Sequence, residues 1–257
     1  MKVYGLILTY NCENLLQKTI KLIPFDKFYK VICSDDGSLD NTKEIAKKNN
    51  IDFFTHEHFG YGGNLFYGLE KAFSLGATHV VEIHGDGQYN LNNIDEIYNL
   101  INEHNSDLIL GNRFYDYLKT FKSGMPFHIF IGNIVLSYIS RIGFNYNLRD
   151  FFPGQRAYSK NFFEKIKFHK LPSGYEFSLE IIILSILYKL KINSLKCECN
   201  YKEMKTTAPI RYLFKLIYYL IVKIIFFNIN KKKYLIIYQI IIKINFKIEI
   251  LLNFKKK

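Results

Sequence analysis

Short apolar runs alternate with longer stretches of mixed polarity through the first half of the chain. Val3–Leu8, Tyr29–Ser34, Ile51–Thr55, Thr78–Ile83 and Asp107–Leu110 read as strands. Glu13–Leu22, Asp40–Lys48, Gly63–Leu75 and Asn92–His104 read as helices, with Asp40 as an N-cap. Strands apolar on both faces, separated by helices, predict an α/β fold with a mainly parallel central sheet and helices on both faces. Ligands in such sheets sit at the carboxyl ends of the strands.

The pattern changes after Arg113. Phe114–Pro126 reads as a loop carrying Lys119, Lys122 and Gly124. Phe127–Ile142 reads as an apolar helix, Arg149–Ser159 as the turn Pro153-Gly154 and a short strand, Tyr175–Leu190 as a strongly apolar helix, and Lys191–Cys199 as a strand. The expected domains are a body over 1–210 and a helical tail over 211–257.

Charge separates these two parts. The formal net charge is +12, yet eleven Lys and Arg and a single acid, Glu249, lie from Arg211 to Lys257, so the body is almost neutral. Nucleic-acid binding is one reading of a basic tail. The interleaved Ile, Leu, Phe and Tyr favour a membrane surface and no nucleic acid. Arg211, Lys215 and Lys223 fall on roughly one helical face, and Gln239, Lys243 and Lys247 repeat every fourth residue beyond Lys231-Lys232-Lys233. The longest Lys-free stretch there, Tyr234–Ile242, is far short of the roughly 20 residues a spanning helix needs, which predicts in-plane association. The alternatives are a helical cap on the body or a homo-oligomer interface. Cys12, Cys33, Cys197 and Cys199 form no CxxC pair and read as buried, reduced thiols. The N-terminus shows no signal peptide, which places the body in the cytoplasm, peripheral to the inner face of the membrane.

The unusual polar residues gather at strand ends. Thr9-Tyr10-Asn11 follows the first strand and Asp35-Asp36-Gly37-Ser38 the second, offering a hydroxyl, a ring, an amide and two carboxylates to base and ribose groups. A helix-capping turn is the plain alternative for Asp35-Asp36. Gly60-Tyr61-Gly62-Gly63-Asn64 opens a helix, where backbone N–H groups favour a phosphate. His84-Gly85-Asp86-Gly87-Gln88 ends the strand Thr78–Ile83. Oxygen ligands with an imidazole beside them suit Mg²⁺ or Mn²⁺ better than zinc. The alternative is an Asp and a Gln that only shape a turn. Arg113 in GNR and Arg156 in GQR would meet phosphates on donor or acceptor, with a surface or sheet-edge salt bridge as the alternative for each. Glu176 and Glu180 stand four apart on an apolar helix, where a buried carboxylate needs a partner. Glu180 reads as a structural ion pair.

The order TYN, DDGSLDNT, GYGGN…GLEKA, HGDGQ, GNR and GQRAYS resembles glycosyltransferase family 2, with the GT-A fold, over roughly residues 1–205. It looks closest to the branch containing dolichol- and polyprenyl-phosphate sugar synthases. The resemblance implies that Thr9, Tyr10, Asn11, Asp35 and Asp36 hold the donor nucleotide, with Gly63 and Arg113 beside them. It implies that Asp86 binds a divalent metal on the diphosphate and that Gln88 supports it. His84 stands where the family has an acid. Glu176 matches the position of a catalytic Asp, as a base for a hydroxyl acceptor. Asp150 precedes GQR and is expected to orient Arg156, and Lys119 and Lys122 to meet an anionic acceptor. The function implied is a metal-dependent, inverting transfer of a sugar from a nucleotide sugar, UDP-linked by preference. The acceptor is polyprenyl phosphate or a lipid-linked or surface glycan. A sugar-nucleotide nucleotidyltransferase would want a Gly-rich basic loop after the first strand, which TYNCEN lacks. A non-catalytic membrane-bound nucleotide-sugar module would bind without turnover.

Overall fold

The computed structural model describes residues 1–167, 169, 171–174, 176–202 and 210–229, the last with the side chains of 216–228. The strands are β1 (Val3–Thr9), β2 (Lys30–Asp35), β3 (Asp52–Thr55), β4 (His79–His84), β5 (Leu108–Asn112), β6 (Arg156–Ser159) and β7 (Ile192–Lys196). The helices are α1 (Glu13–Lys21), α2 (Thr42–Lys48), α3 (Tyr61–Ser74), α4 (Ile94–His104), α5 (Tyr117–Lys122), α6 (Phe127–Gly143), α7 (Lys160–Ile166), α8 (Phe177–Leu187) and α9 (Ile210–Ile229).

The strands form one sheet of order β3-β2-β1-β4-β6-β5-β7. All pairings are parallel except those of β6, which runs antiparallel to both β4 and β5. The expected mainly parallel sheet is therefore present, with one reversed strand wedged into it. Both faces are buried, as the apolar strands require. Tyr4, Leu6 and Leu8 of β1 and Val80 of β4 pack with α3, α6, α8 and α9. Val3, Ile7, Val81 and Ile83, the alternating residues, pack with α1 and α4.

Three elements differ from expectation. Residues 114–126 are not a loop: Asp116 accepts the Lys119 N–H at 2.9 Å and starts α5. The unforeseen α7 begins where the Ser159 hydroxyl caps Phe162 N–H at 3.0 Å, and it buries Phe162, Phe163 and Ile166. Asp40 is not the N-cap of α2, a position Asn41 holds. Its carboxylate instead bridges two helix starts, accepting from Thr42 N–H and Glu13 N–H at 3.0 Å each.

The tail begins as a helix whose Lys223 is turned inward. Lys223 is buried and pairs with Glu180 of α8 at 2.7 Å, and Tyr219 also donates to Glu180. The structural ion pair expected of Glu180 is thus present, and Lys223 faces the core rather than an outer basic face. The physical reason is Glu180 itself, a fully buried carboxylate that a cation must compensate. The side chains of Arg211 and Lys215 lie outside the described residues, as do Lys231-Lys232-Lys233, Gln239, Lys243 and Lys247. Among the described residues no helix is long and apolar enough to cross a membrane, and the four cysteines are free. Burial pushes the Cys12 thiol up to about 12, so it stays a protonated thiol.

Candidate active site

β1 lies between β2 and β4, and the strand order reverses there, so a crevice opens at their carboxyl ends. Register brings the predicted residues together at that edge. Thr9 is level with Asp35, and Leu8 with His84. Beyond His84 the chain turns tightly: Gly87 N–H donates to the His84 carbonyl at 3.0 Å, and Gln88 N–H to the Asp86 carboxylate at 3.0 Å. Gly87 holds φ +68°, a conformation that costs a side-chain-bearing residue. This turn leaves Asp86 half-buried and Gln88 buried at the crevice.

The two carboxylates of DDGS are spent on the protein. Asp35 accepts from the Thr9 hydroxyl (2.8 Å), the Ser38 hydroxyl (2.5 Å), Ser38 N–H (2.8 Å) and the Thr55 hydroxyl (3.1 Å). Asp36 accepts from Phe59 N–H (2.7 Å) and Gly60 N–H (3.0 Å), and the His58 Nδ1 lies 2.8 Å from its carboxylate. A carboxylate has about four acceptor positions. These two therefore shape the crevice wall. What they leave open is an aromatic pair: Tyr10, half exposed, stacks on His58 with ring centroids 4.5 Å apart. Asn11, at φ +47°, ties the Tyr10 loop to Ser38 and Leu39.

The glycines of GYGGN do not open an anion site. Gly62 N–H donates to the Ser173 carbonyl at 2.8 Å, and a Cβ at Gly62 would lie 2.5 Å from the Pro172 carbonyl oxygen. A Cβ at Gly63 would lie 2.5 Å from Phe59. The start of α3 is covered by the segment before α8 and by Phe59, and close packing is what excludes larger residues. Asn64 staples α3 to the sheet, donating to the Thr9 and Ser34 carbonyls and accepting from the Ser34 hydroxyl at 2.6 Å.

The centre of the site was not foreseen. Glu82, in the middle of β4, is fully buried. It accepts from the hydroxyls of Tyr61 (2.5 Å) and Tyr158 (2.7 Å), from the His84 Nε2 (3.0 Å) and from Arg156 (3.3 Å). Arg156 donates in turn to Tyr61 and Ser178, each at 2.5 Å. Burial pushes the Glu82 carboxyl up, but Arg156, His84 and Tyr61 outweigh it and hold it below the usual range. His84 loses by burial and gains more from Glu82, so its pKa is raised. A glutamate inside the apolar run THVVEI was the available signal, because it demands a buried cation across the sheet.

This network corrects several expectations. His84 Nε2 contacts Glu82 and the Gly154 carbonyl, both acceptors, so this nitrogen carries a proton and only Nδ1 is left to face a ligand. Arg156 is buried on Glu82 rather than offered to a phosphate. Asp150 does not orient Arg156. It forms a forked pair with Arg113, at 2.7 Å from Nε and 2.9 Å from an NH₂ group, and Arg113 also donates to Tyr201 and the Phe152 carbonyl. Arg156 sits inside the protein because β6, which it starts, lies between β4 and β5, and Arg113, just beyond β5, is closed in by Asp150 and Phe152. Lys119 forms an exposed ion pair with Glu198. Glu176 is buried at the residue before α8. Its neighbours reach the network, Phe177 edge-on to Tyr61 at 6.4 Å and Ser178 through Arg156.

The residues 6–167 match the family model described as "Glycosyl transferase family 2". The chain belongs to this family. It is an enzyme fold of the GT-A type, and solved structures agree. Glucosyl-3-phosphoglycerate synthase of Mycobacterium tuberculosis superposes with a TM-score of 0.60 at 15% identity, covering 87% of this chain and 80% of that one. The same synthase bound to Mn²⁺, UDP-glucose and glycerol 3-phosphate gives 0.57 at 14% identity, with 86% and 77% covered. Among sequence relatives, a UDP-N-acetylglucosamine–dolichyl-phosphate N-acetylglucosaminyltransferase of Methanococcus voltae is 28% identical over 219 residues, 78% of this chain and 86% of the relative. An uncharacterised protein of Methanocaldococcus jannaschii is 27% identical over 228 residues, 88% and 93%.

Proposed function

We propose that this family 2 glycosyltransferase moves a sugar, with inversion, from a UDP-linked donor to a lipid-borne acceptor at a membrane, polyprenyl phosphate first and a lipid-linked or surface glycan second. The observation that carries the reading is the Asp86–Gln88 turn at the switch point between β1 and β4. The Methanococcus voltae relative, which acts on dolichyl phosphate, supports the acceptor class. Exposed Tyr10, stacked on His58, is a surface for the base, and Ser38 and Asn11 line the crevice beside it.

Asp86 and Gln88 fit Mg²⁺ or Mn²⁺. They offer only hard oxygen donors, and Asp86 spends one carboxylate oxygen on Gln88 N–H, leaving the other for a cation. Among the described residues no three His, Cys, Asp or Glu side chains converge, so a bound ion would draw its remaining oxygens from diphosphate and water. Such an ion supplies neutralisation of the leaving diphosphate. The chain's own residues do the rest. Glu82 and Arg156 fix β4 against β6 and the start of α8, which sets Asp86 and Glu176 on one rigid frame. Glu176 accepts the proton of a hydroxyl acceptor, whereas an ionised phosphate acceptor attacks without a base.

The test incubates membranes holding the full chain with Mg²⁺ or Mn²⁺ and a panel of labelled nucleotide sugars, followed by extraction into organic solvent. Label in a mild-acid-labile lipid is expected, and label found only in polymer would move the acceptor to a glycan. Asp86→Ala is expected to abolish transfer. Full activity in that variant overturns the site.

A further inference from the structure

The outer face of the α5–α6–α9 layer, over its described residues, is rich in exposed apolar side chains. On α6, the exposed positions of 127–142 carry Phe127, Ile131, Val135, Tyr138 and Ile142, spaced as one helical stripe, and His128. Setting His128 aside, the helix has one charged residue, Arg141, which lies over the Tyr138 ring. A helix at a water surface carries its charges outward. α9 departs further from that rule: Lys223 is turned into the core against Glu180, while Tyr218, Ile221 and Ile225 are exposed. α5 adds exposed Tyr117, Leu118 and Phe121.

The three helices are neighbours. Phe121 of α5 packs on Phe127 and Phe130 of α6. Asn228 of α9 donates to the Gly143 carbonyl that ends α6, and Phe227 meets Phe144 edge-on at 5.1 Å. Leu136 of α6 and Leu220 of α9 enter the same core, so the faces turned from it adjoin. A contiguous apolar surface of this extent marks a contact site.

We infer that this face is the lipid-contacting surface, seated in the plane of an anionic bilayer, so that the body itself and not only the basic tail meets the membrane. Charge complementarity selects the occupant. The chain is +12, exposed Lys122 borders the patch, and the segment that continues from α9 is basic, with eight lysines and one glutamate after Asn230. Among the described residues no helix is a membrane-spanning candidate, which leaves shallow, in-plane seating. An apolar face followed in the chain by a segment of net charge +7 matches an anionic lipid surface better than a protein partner of ordinary kind.

The chain has no tryptophan, so Ile142→Trp places a single reporter in the exposed stripe. The full chain is mixed with equimolar phosphatidylglycerol–phosphatidylcholine vesicles, without donor or acceptor. The Trp emission is expected to shift to the blue and to be quenched by brominated acyl chains. Emission unchanged while the protein co-sediments overturns the inference, because the tail alone would then hold the protein. The double variant Ile131→Glu/Val135→Glu is expected to bind these vesicles about tenfold or more weakly. Binding within about twofold of wild type, with an unchanged circular dichroism melt, overturns it. So does a wild-type dimer that this variant dissociates without loss of vesicle binding, since the face would then be a subunit interface. UDP binding by the same samples reports separately on the donor site.

Discussion

Replacing Arg156 by Met tests whether the buried Glu82 network is what holds the site together. Arg156 and Glu82 are both buried, and Met keeps much of the length while removing the charge. Glu82 keeps its bonds to Tyr61, Tyr158 and His84 but loses the cation that lies 3.3 Å away. Breaking one side of a buried pair costs about 3–5 kcal/mol, a large share of a typical domain's stability. The sign with pH follows from Glu82. In the wild type its folded pKa is depressed, so its stabilisation is present above the unfolded value near about 4.3 and is lost as pH falls through the folded pKa. In the variant burial acts unopposed by Arg156 and raises that pKa, so the deficit relative to wild type grows from pH 5 to pH 8. Urea unfolding followed by circular dichroism at several pH values measures both effects. Adding Glu82→Gln to the variant removes the uncompensated charge and is expected to recover about 1–3 kcal/mol at pH 8. A loss under about 1 kcal/mol that does not vary with pH would refute the reasoning, because a buried carboxylate cannot lose its only arginine so cheaply.

Gly62→Ala is expected to cost about 1–3 kcal/mol and to loosen the 172–173 segment, seen as faster proteolysis there, because its Cβ would press on the Pro172 oxygen at 2.5 Å. The raised pKa of His84 stabilises the fold fully below about pH 6.5, and this contribution fades as pH rises through the folded value; urea midpoints from pH 6 to 9 should show the slope, and His84→Phe should flatten it. Lys223→Met leaves Glu180 buried without that cation and is expected to lower stability by about 3–5 kcal/mol, with hydrogen exchange in α9 accelerated first. Asp86→Asn should keep the melting temperature within a degree or two and lose metal-dependent donor binding by calorimetry; unchanged binding would remove Asp86 from the site.

The alternation of apolar runs was enough to place β1, β2, β3, β4 and β5 and the helices between them. A strand buried on both faces and a helix buried on one leave different local patterns. The same locality put Thr9, Asp35 and Asp86 at strand ends: Thr9 and Asp35 are the last residues of β1 and β2, and Asp86 lies two residues beyond β4. The residues 114–126 and α7 were not read, since α5 and α7 are short helices whose stability comes from caps and from packing on the core rather than from a long periodic face. Partners were the least legible. Arg113, Arg156, Asp150 and His84 were correctly seen as unusual, but which carboxylate each cation meets depends on the reversed strand β6, which no local pattern announces.

Sequence by itself determined the mainly parallel layered sheet and the strand ends at which its unusual polar residues gather, because period and position along one strand are local properties. Only the tertiary structure decided that Arg156 serves Glu82, that Arg113 serves Asp150, and that Lys223 faces inward while α6 and α9 turn apolar residues out. Each of these depends on burial, and burial of a charge is settled by whatever the fold brings opposite to it.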